Sequence, residues 1–382
     1  MKRSNTILVI ILLVVITGCG GGKKADTQSD GIIIVDVTKS YPKKELVLQD
    51  FMDVKYIALE TSDEFVNQGN VLDIGEKYAL IGNNNTRNGD IFVYDRNGKA
   101  LRRINRMGQG SEEYTTIYGV ILDEDNDEIF VYDSMIKKIL VYDLYGKYKR
   151  VLLYNENARY GIIFEYDKDN LVCSDDTRHS GNKEKVKSFY IISKQDGRIV
   201  KNIEIPFIQE KSLMIMHDEF RATVFMHFPI IPYKGNFVIT SLSSDTIFRY
   251  QPDNNMDPFI VRSPSIQSMD DPEMFLCPTI LTDQYYFMEC IKKEAKFPRT
   301  TIVYDRQEKA IYECIVNNDD YSGRTESFFA KTMNDKIAFC EKIEAFELIE
   351  ANKEGKLKGK LKEIADGLDE DDNPVIMLVK YK

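Results

Sequence analysis

Residues 91–104 read IFVYDRNGKALRRI, and residues 139–152 read ILVYDLYGKYKRVL. Each is an apolar β-rich run ending in Tyr-Asp, then a turn with glycine, then a basic residue and a second run. A cluster of Asp, Asn and Gly between two such runs is the signature of a hairpin. The same phrase returns as FYIISKQDGRIVKNI from Phe189 and IVYDRQEKAIYECI from Ile302, and in weaker form as IFRYQPDNNMDPFIV from Ile247. Recurrence at about fifty residues marks a repeated supersecondary unit.

Two further strands precede each hairpin. They are Val71 to Ile74 with Tyr78 to Ile81, Gly119 to Leu122 with Ile129 to Asp133, and Ile162 to Tyr166 with Leu171 to Ser174. Four short antiparallel strands per unit predict an all-β fold of radially packed blades, an arrangement that protects strand edges. Five units are visible and a sixth must come from the C-terminus. There Phe328 to Met333 and Lys336 to Ile343 supply two strands, Glu344 to Leu368 reads as helix with a break at Gly355, and Pro374 to Tyr381 returns to strand. That last unit lacks an outer strand, and Val54 to Glu60 has no unit of its own. The sequence therefore predicts a six-bladed β-propeller of four-stranded blades with a short helical insertion in the last blade. Lys55 to Glu60, beside Val375 to Tyr381, closes the ring.

Of 382 residues, 43% are hydrophobic and 29% charged, a globular composition that excludes disorder and a polytopic membrane protein. With 61 acidic and 51 basic residues the formal charge is −10, so a basic surface for nucleic acid is not expected. The N-terminus has its own logic. Lys2 and Arg3 precede the apolar run Ile7 to Ile16, which is too short to span a bilayer and is followed by Thr17, Gly18 and Cys19. Ile16 to Cys19 resembles a bacterial lipobox. That resemblance implies a signal peptide over 1–18, cleavage before Cys19 and lipidation there, so that lipid is the only membrane attachment. Residues 19–30 then read as a flexible tether, and 31–382 as the propeller domain. Five cysteines remain (Cys173, Cys277, Cys290, Cys314, Cys340), with no CxxC pair; they are expected to be buried thiols.

Several stretches, KYIALET (55–61), the YDxxGK repeats, GQGSEEY (108–114) and DEDDNPVIMLVKYK (369–382), resemble the six-bladed β-propeller lipoproteins of gut Bacteroidetes, relatives of NHL-repeat propellers. The family pattern Gly-Pro-Gly-Glu-Tyr is replaced here by Gly110-Ser111-Glu112-Glu113-Tyr114. The resemblance implies a fold and a cell-envelope location, and it adds no catalytic residue. The residues after Cys19 lack an acidic cluster, which favours the periplasmic side of the outer membrane.

Three connections between blades carry the candidate chemistry. In Arg106 to Thr116, Glu112 and Glu113 offer hydrogen-bond acceptors and Tyr114 an aromatic face for a sugar or peptide, or else the segment is a staple between blades with Tyr114 packed and the glutamates solvated. Phe207 to Phe228, the longest connection, reads either as a helical cap over the channel that presents Arg221 to an anionic group and His217 to a polar one, or as plain packing. Arg262 to Met274 carries Asp270, Asp271 and Glu273. Asp123, Asp125 and Asp127 imitate the start of a calcium loop, but Glu128 stands at the glycine position and Ser134 at the closing glutamate position, so a hairpin turn is expected. No nucleophile elbow, phosphate loop or HExxH occurs, and no cofactor or metal is expected. Two readings follow. One is a monomeric lipid-anchored module that binds a glycan, peptide or envelope protein or acts as a scaffold. The other is a metal-assisted hydrolase or lyase with its site in the channel.

Overall fold

The computed structural model describes residues 31–83, 88–153, 158–176 and 186–382; the expected signal peptide, Cys19 and the expected tether lie outside them. The N-terminal part of the domain gives β1 (Ile33–Asp36), β2 (Lys43–Val47), the single turn α1 (Leu48–Phe51) and β3 (Met52–Ala58). Blade 1 follows with β4 (Asn70–Ile74), β5 (Tyr78–Gly82), β6 (Asp90–Asp95) and β7 (Ala100–Asn105). Blade 2 holds β8 (Gly119–Asp123), β9 (Glu128–Asp133), β10 (Lys138–Asp143) and β11 (Tyr148–Leu153). Blade 3 holds β12 (Tyr160–Glu165), β13 (Asn170–Asp175), β14 (Val186–Ser193) and β15 (Ile199–Pro206). A small hairpin, β16 (Met214–Met216) and β17 (Ala222–Val224), leads to blade 4, made of β18 (Ile230–Tyr233), β19 (Asn236–Ile239), β20 (Thr246–Tyr250) and β21 (Met256–Ser263). Blade 5 holds β22 (Met274–Leu281), β23 (Tyr285–Lys292), β24 (Arg299–Asp305) and β25 (Ala310–Asn317). Blade 6 contains β26 (Ile337–Ile343), the helices α2 (Ala345–Lys353) and α3 (Gly359–Ala365), and β27 (Val375–Tyr381).

Six blades stand in a ring. Their shared cores run unbroken around it. Val93 of blade 1 packs with Val131 of blade 2, Val141 with Leu171 of blade 3, and Phe189 with Tyr250 of blade 4. Val238 then joins Met288 of blade 5, Phe287 joins Phe339 of blade 6, and Leu378 returns to Phe92 of blade 1. Blade 6 closes as the sequence predicts: β3 is its outer strand, antiparallel to β27, with Ala58 opposite Val375 and Met52 opposite Tyr381. Its innermost place is taken by residues 328–334, which form no regular strand where Phe328 to Met333 was expected as one, and which bond to β26 through Met333 N–H to the Ala338 carbonyl (3.2 Å) and Asn334 N–H to the Ile337 carbonyl (3.1 Å). The insertion breaks at Gly355, whose φ of +71° favours glycine.

The repeated YDxxGK phrase has a local cause. The Asp95 carboxylate accepts the N–H groups of Asn97 (2.8 Å) and Lys99 (3.0 Å), and Asp143 does the same for Tyr145 and Lys147. Gly98 then turns with φ +84°, and a Cβ there would lie 1.9 Å from the Ala58 carbonyl oxygen. The aspartate shapes the turn, and the glycine lets it dock on the neighbouring blade.

One feature goes beyond the sequence reading. β1 adds to the outer edge of blade 4, parallel to β21, and β2 adds to blade 5, parallel to β25. The N-terminal segment is thus a strap that covers the edges of blades 4 and 5 before it completes blade 6. Its alternation is visible in β1, where Ile33 and Val35 are buried and Ile34 is exposed.

Candidate functional site

The connection between blades 1 and 2 is a staple. Tyr114 is fully buried. Its hydroxyl donates to the Gly89 carbonyl (2.6 Å) and accepts from Arg106 N–H (2.9 Å), and its ring meets Tyr142 edge-on at 6.0 Å. Glu113 accepts the Gly110 N–H (2.8 Å), and a Cβ on Gly108 would lie 1.9 Å from the same carboxylate. The Glu112 carbonyl accepts from Tyr142, which leaves its exposed carboxylate free of that staple. Of the two readings of this connection the staple holds and the ligand-facing Tyr114 is corrected: its ring is wholly buried in the core shared by blades 1 and 2.

The connection from blade 3 to blade 4 forms a β-hairpin, so the helical-cap reading is corrected. Its tip carries His217, with Nε2 2.7 Å from the Thr223 hydroxyl, and Arg221, paired with Asp218 at 2.6 Å. Both are exposed. Phe225 meets Phe297 of the blade 5 hairpin at 5.3 Å and Phe329 at 5.1 Å, Phe228 meets Phe329 at 5.4 Å, and the Arg299 guanidinium lies 4.8 Å from the Phe329 ring centre. Phe329 begins the innermost segment of blade 6. The connection therefore packs Phe225 and Phe228 onto blades 5 and 6, while His217 and Arg221 face outward together with the exposed Phe220 and Met226.

The principal cavity, about 1360 Å³, opens among the turns between first and second strands, the end opposite the blade connections. Ile121, Ile163, Phe164, Phe237 and Met333 form apolar walls, while Glu76, Lys77, Glu124, Asp167 and Lys336 stand among the turns. It includes none of Glu112, Glu113, Tyr114, His217 or Arg221. Inside are Asp73 of β4, Glu165 of β12 and Lys331 of the innermost segment of blade 6.

Their hydrogen bonds divide these charges into two kinds. Asp73 accepts Ile74 N–H (2.8 Å) and Leu122 N–H (2.7 Å), joining the inner strands of blades 1 and 2. Glu124 gathers the N–H groups of Glu76, Lys77 and Tyr78 at 2.8 to 2.9 Å. Asp335 accepts Gly235 N–H (2.8 Å), and Glu165 takes the Lys194 ammonium (2.5 Å), which also pairs with the buried Asp123 (2.7 Å). The carboxylates are fasteners between blades. Lys331, by contrast, lies 5.3 Å from the Phe164 ring centre and donates to no acceptor among the described residues. Burial lowers its pKa, opposed by the nearby Asp73 charge, while burial raises that of Asp73.

The other acidic candidates resolve as structure. Asp123 accepts Asn126 N–H (3.0 Å) and its side-chain amide (2.8 Å), the expected hairpin turn. Asp271 pairs with Lys293. Among the described residues no group of three or more His, Cys, Asp or Glu is arranged to hold a metal ion. Cys173, Cys277, Cys290 and Cys314 are buried free thiols and Cys340 is half-buried. Sequence reasoning missed Lys331 and Asp73. The available signal was a single charged residue within each otherwise apolar inner run, as in VLDIG (71–75) and AKTM (330–333).

No curated protein matches the sequence. A Bacteroides fragilis protein described as exported superposes with a TM-score of 0.63 at 16% identity, over 92% of this chain and 100% of that one; it shares the fold. A Bacteroides vulgatus member of the DUF4221 family gives a TM-score of 0.49 at 13% identity, over 87% and 99% of the two chains. The sequence family described as a domain of unknown function, DUF4934, matches residues 32–380, and the chain belongs to that family.

Proposed function

We propose that this chain is a ligand-binding propeller of the bacterial cell envelope, tethered by lipid on Cys19 to the outer membrane and facing the periplasm, with its ligand in the cavity at the hairpin-turn end of the ring. The cavity carries this reading. It combines apolar walls with a few convergent polar groups, and its volume exceeds what a drug-sized molecule needs. The envelope address rests on the lipobox-like Ile16 to Cys19 and agrees with an exported structural neighbour. Among the described residues no helix is long and apolar enough to cross a membrane.

Two experiments test it. Palmitate incorporation is expected in the wild type and absent in Cys19→Ala; equal labelling of both would refute the anchor. A thermal-shift screen of glycans and peptides against the full chain is expected to yield a stabilising compound. Its effect should be lost in Asn97→Trp, which places a bulky ring at an exposed position lining the cavity, and kept in Phe220→Ser at the tip of the β16–β17 hairpin. Turnover of an ester or glycoside by the purified chain would replace binding with catalysis.

A further inference from the structure

We propose that the ligand of this cavity is an anion, a small molecule bearing carboxylate, sulfate or phosphate groups, and that Lys331 is its central charge partner. The inference rests on the cavity being a binding site and goes on to name the chemistry it takes.

The lining holds as many carboxylates as basic side chains, so net charge alone selects nothing. The bonding pattern does. Asp73, Glu124 and Asp335 direct their oxygens at backbone N–H groups, and Glu76 and Glu165 are paired with Lys336 and Lys194. Lone pairs committed to backbone and ion-pair partners are poorly placed to take up a ligand's donors. The cations are left over: among the described residues Lys55, Lys77, Lys168, Lys331 and Lys380 all line the cavity, and none of their ammonium groups donates to a protein acceptor. Asp167 accepts from Asp169 and Asn170, and Asp320 from Gln49 and Tyr56. Apart from the exposed Asp125, the wall therefore offers unspent donors and spent acceptors, the complement of an oxygen-rich anion.

Lys331 is the strongest member of this set. It is half-buried at the cavity wall, and a charge partly withdrawn from water without a hydrogen-bonded counter-ion is disfavoured. Here the nearest carboxylate, Asp73, is occupied by two backbone N–H groups, and the aromatic contact with Phe164 offsets only part of the desolvation. An anionic oxygen arriving beside Lys331 would supply the missing acceptor, and charge-assisted hydrogen bonds of this kind are among the strongest available. Phe164, Tyr166 and Phe237 line the same cavity and give the ligand an apolar wall. The arrangement also opposes the overall charge of −10, which repels anions at long range, so the attraction is a local property of the cavity.

The test is calorimetric titration of the full chain with trigalacturonate, a sulfated chondroitin disaccharide and inorganic pyrophosphate. The uncharged methyl ester of trigalacturonate and a cationic chitosan trimer serve as counterparts. At least one anionic probe is expected to bind about tenfold or more tighter than the uncharged ester, and which one binds distinguishes carboxylate, sulfate and phosphate sources. Lys331→Met is expected to lower that affinity about tenfold or more while the unfolding midpoint holds or rises, because a partly buried, unpaired charge is removed. Unchanged affinity in Lys331→Met, or no binding of any anionic probe, overturns the inference. Binding of only the ester or the chitosan trimer, blocked by Asn97→Trp, also overturns it and leaves the cavity as a binding site. Silence from every probe and from the broader screen removes both.

Discussion

Tyr114 shows how much one side chain can decide. In the sequence it stands beside two glutamates in a glycine-bearing connection, the pattern of an aromatic platform; in the structure it is a rivet, with a hydroxyl that bonds two backbone groups and a ring wholly inside the core. Residue type and spacing in an irregular segment do not tell which way a side chain points, because no periodicity fixes its direction there. The YDxxGK residues were legible for the opposite reason: an aspartate that shapes its own turn and a glycine at positive φ act locally, so their roles are written within four or five residues. Burial gives Tyr114 a stability phenotype. Tyr114→Ala is expected to cost about 3–5 kcal/mol, the range for losing a large buried aromatic, and Tyr114→Phe about 1–3 kcal/mol for the backbone groups it leaves unpaired. Urea unfolding measures both, and a Tyr114→Ala protein as stable as the wild type would show that the staple carries no load.

At the scale of elements, the β16–β17 hairpin and the strap mark the limits of local reading. The run 213–225 contains short apolar stretches around His217 to Arg221 that suit either a helix or a hairpin, and periodicity cannot separate the two at that length. What decides it is tertiary: Leu213, Ile215 and Phe225 turn one face toward Phe275, Ile291 and Phe297, and Asp218 bonds the Phe220 and Arg221 N–H groups to fix the tip. The parallel additions of β1 and β2 leave no local trace at all, because their partners lie more than two hundred residues away. The connection that holds this hairpin also carries a titration. His227 is pushed down to about 4 by burial, with Lys187 adding to the shift and Asp176 opposing it, and its Nε2 has no partner among the described residues. A folded-state pKa below the unfolded value near 6.5 means that the unfolded chain takes up the proton first as pH falls. This contribution to stability is intact above about pH 6.5 and is lost as pH drops towards 4. Replacement by an uncharged ring of similar size, His227→Phe, is expected to flatten the loss of stability between those limits by about 1–3 kcal/mol relative to wild type. Parallel unfolding curves for the two proteins across that window would place the titration elsewhere.

For the whole molecule the decisive event is closure. Five blades are each drawn from one continuous stretch, and their local hairpins make them readable in sequence; the sixth is assembled from residues 52–58, 328–343 and 375–381, and could be inferred only by counting what was left over. Asn373 locks the join. Buried at 2% exposure, it accepts Asn67 N–H (2.8 Å), donates its side-chain amide to the Glu60 carbonyl (2.9 Å), and donates its own N–H to Thr61 (2.8 Å). The DDNP stretch that resembles its family is thus explained by geometry. Beyond it, β27 is bonded on both sides, to β26 and to β3, and its Val375, Met377 and Val379 belong to the core shared with blade 5 while Ile376 and Leu378 belong to that shared with blade 1. A chain ending at Asn373 would lose that strand, expose two unpaired ladder edges and open both apolar interfaces, which invites aggregation. Such a truncation is expected to be insoluble, or soluble without a cooperative melt. Because β3 would then have no neighbour in blade 6, protease should cut first between residues 48 and 69. A soluble truncation with a sharp melting transition and an uncut N-terminal strap would mean that the ring is held by its first five blades alone.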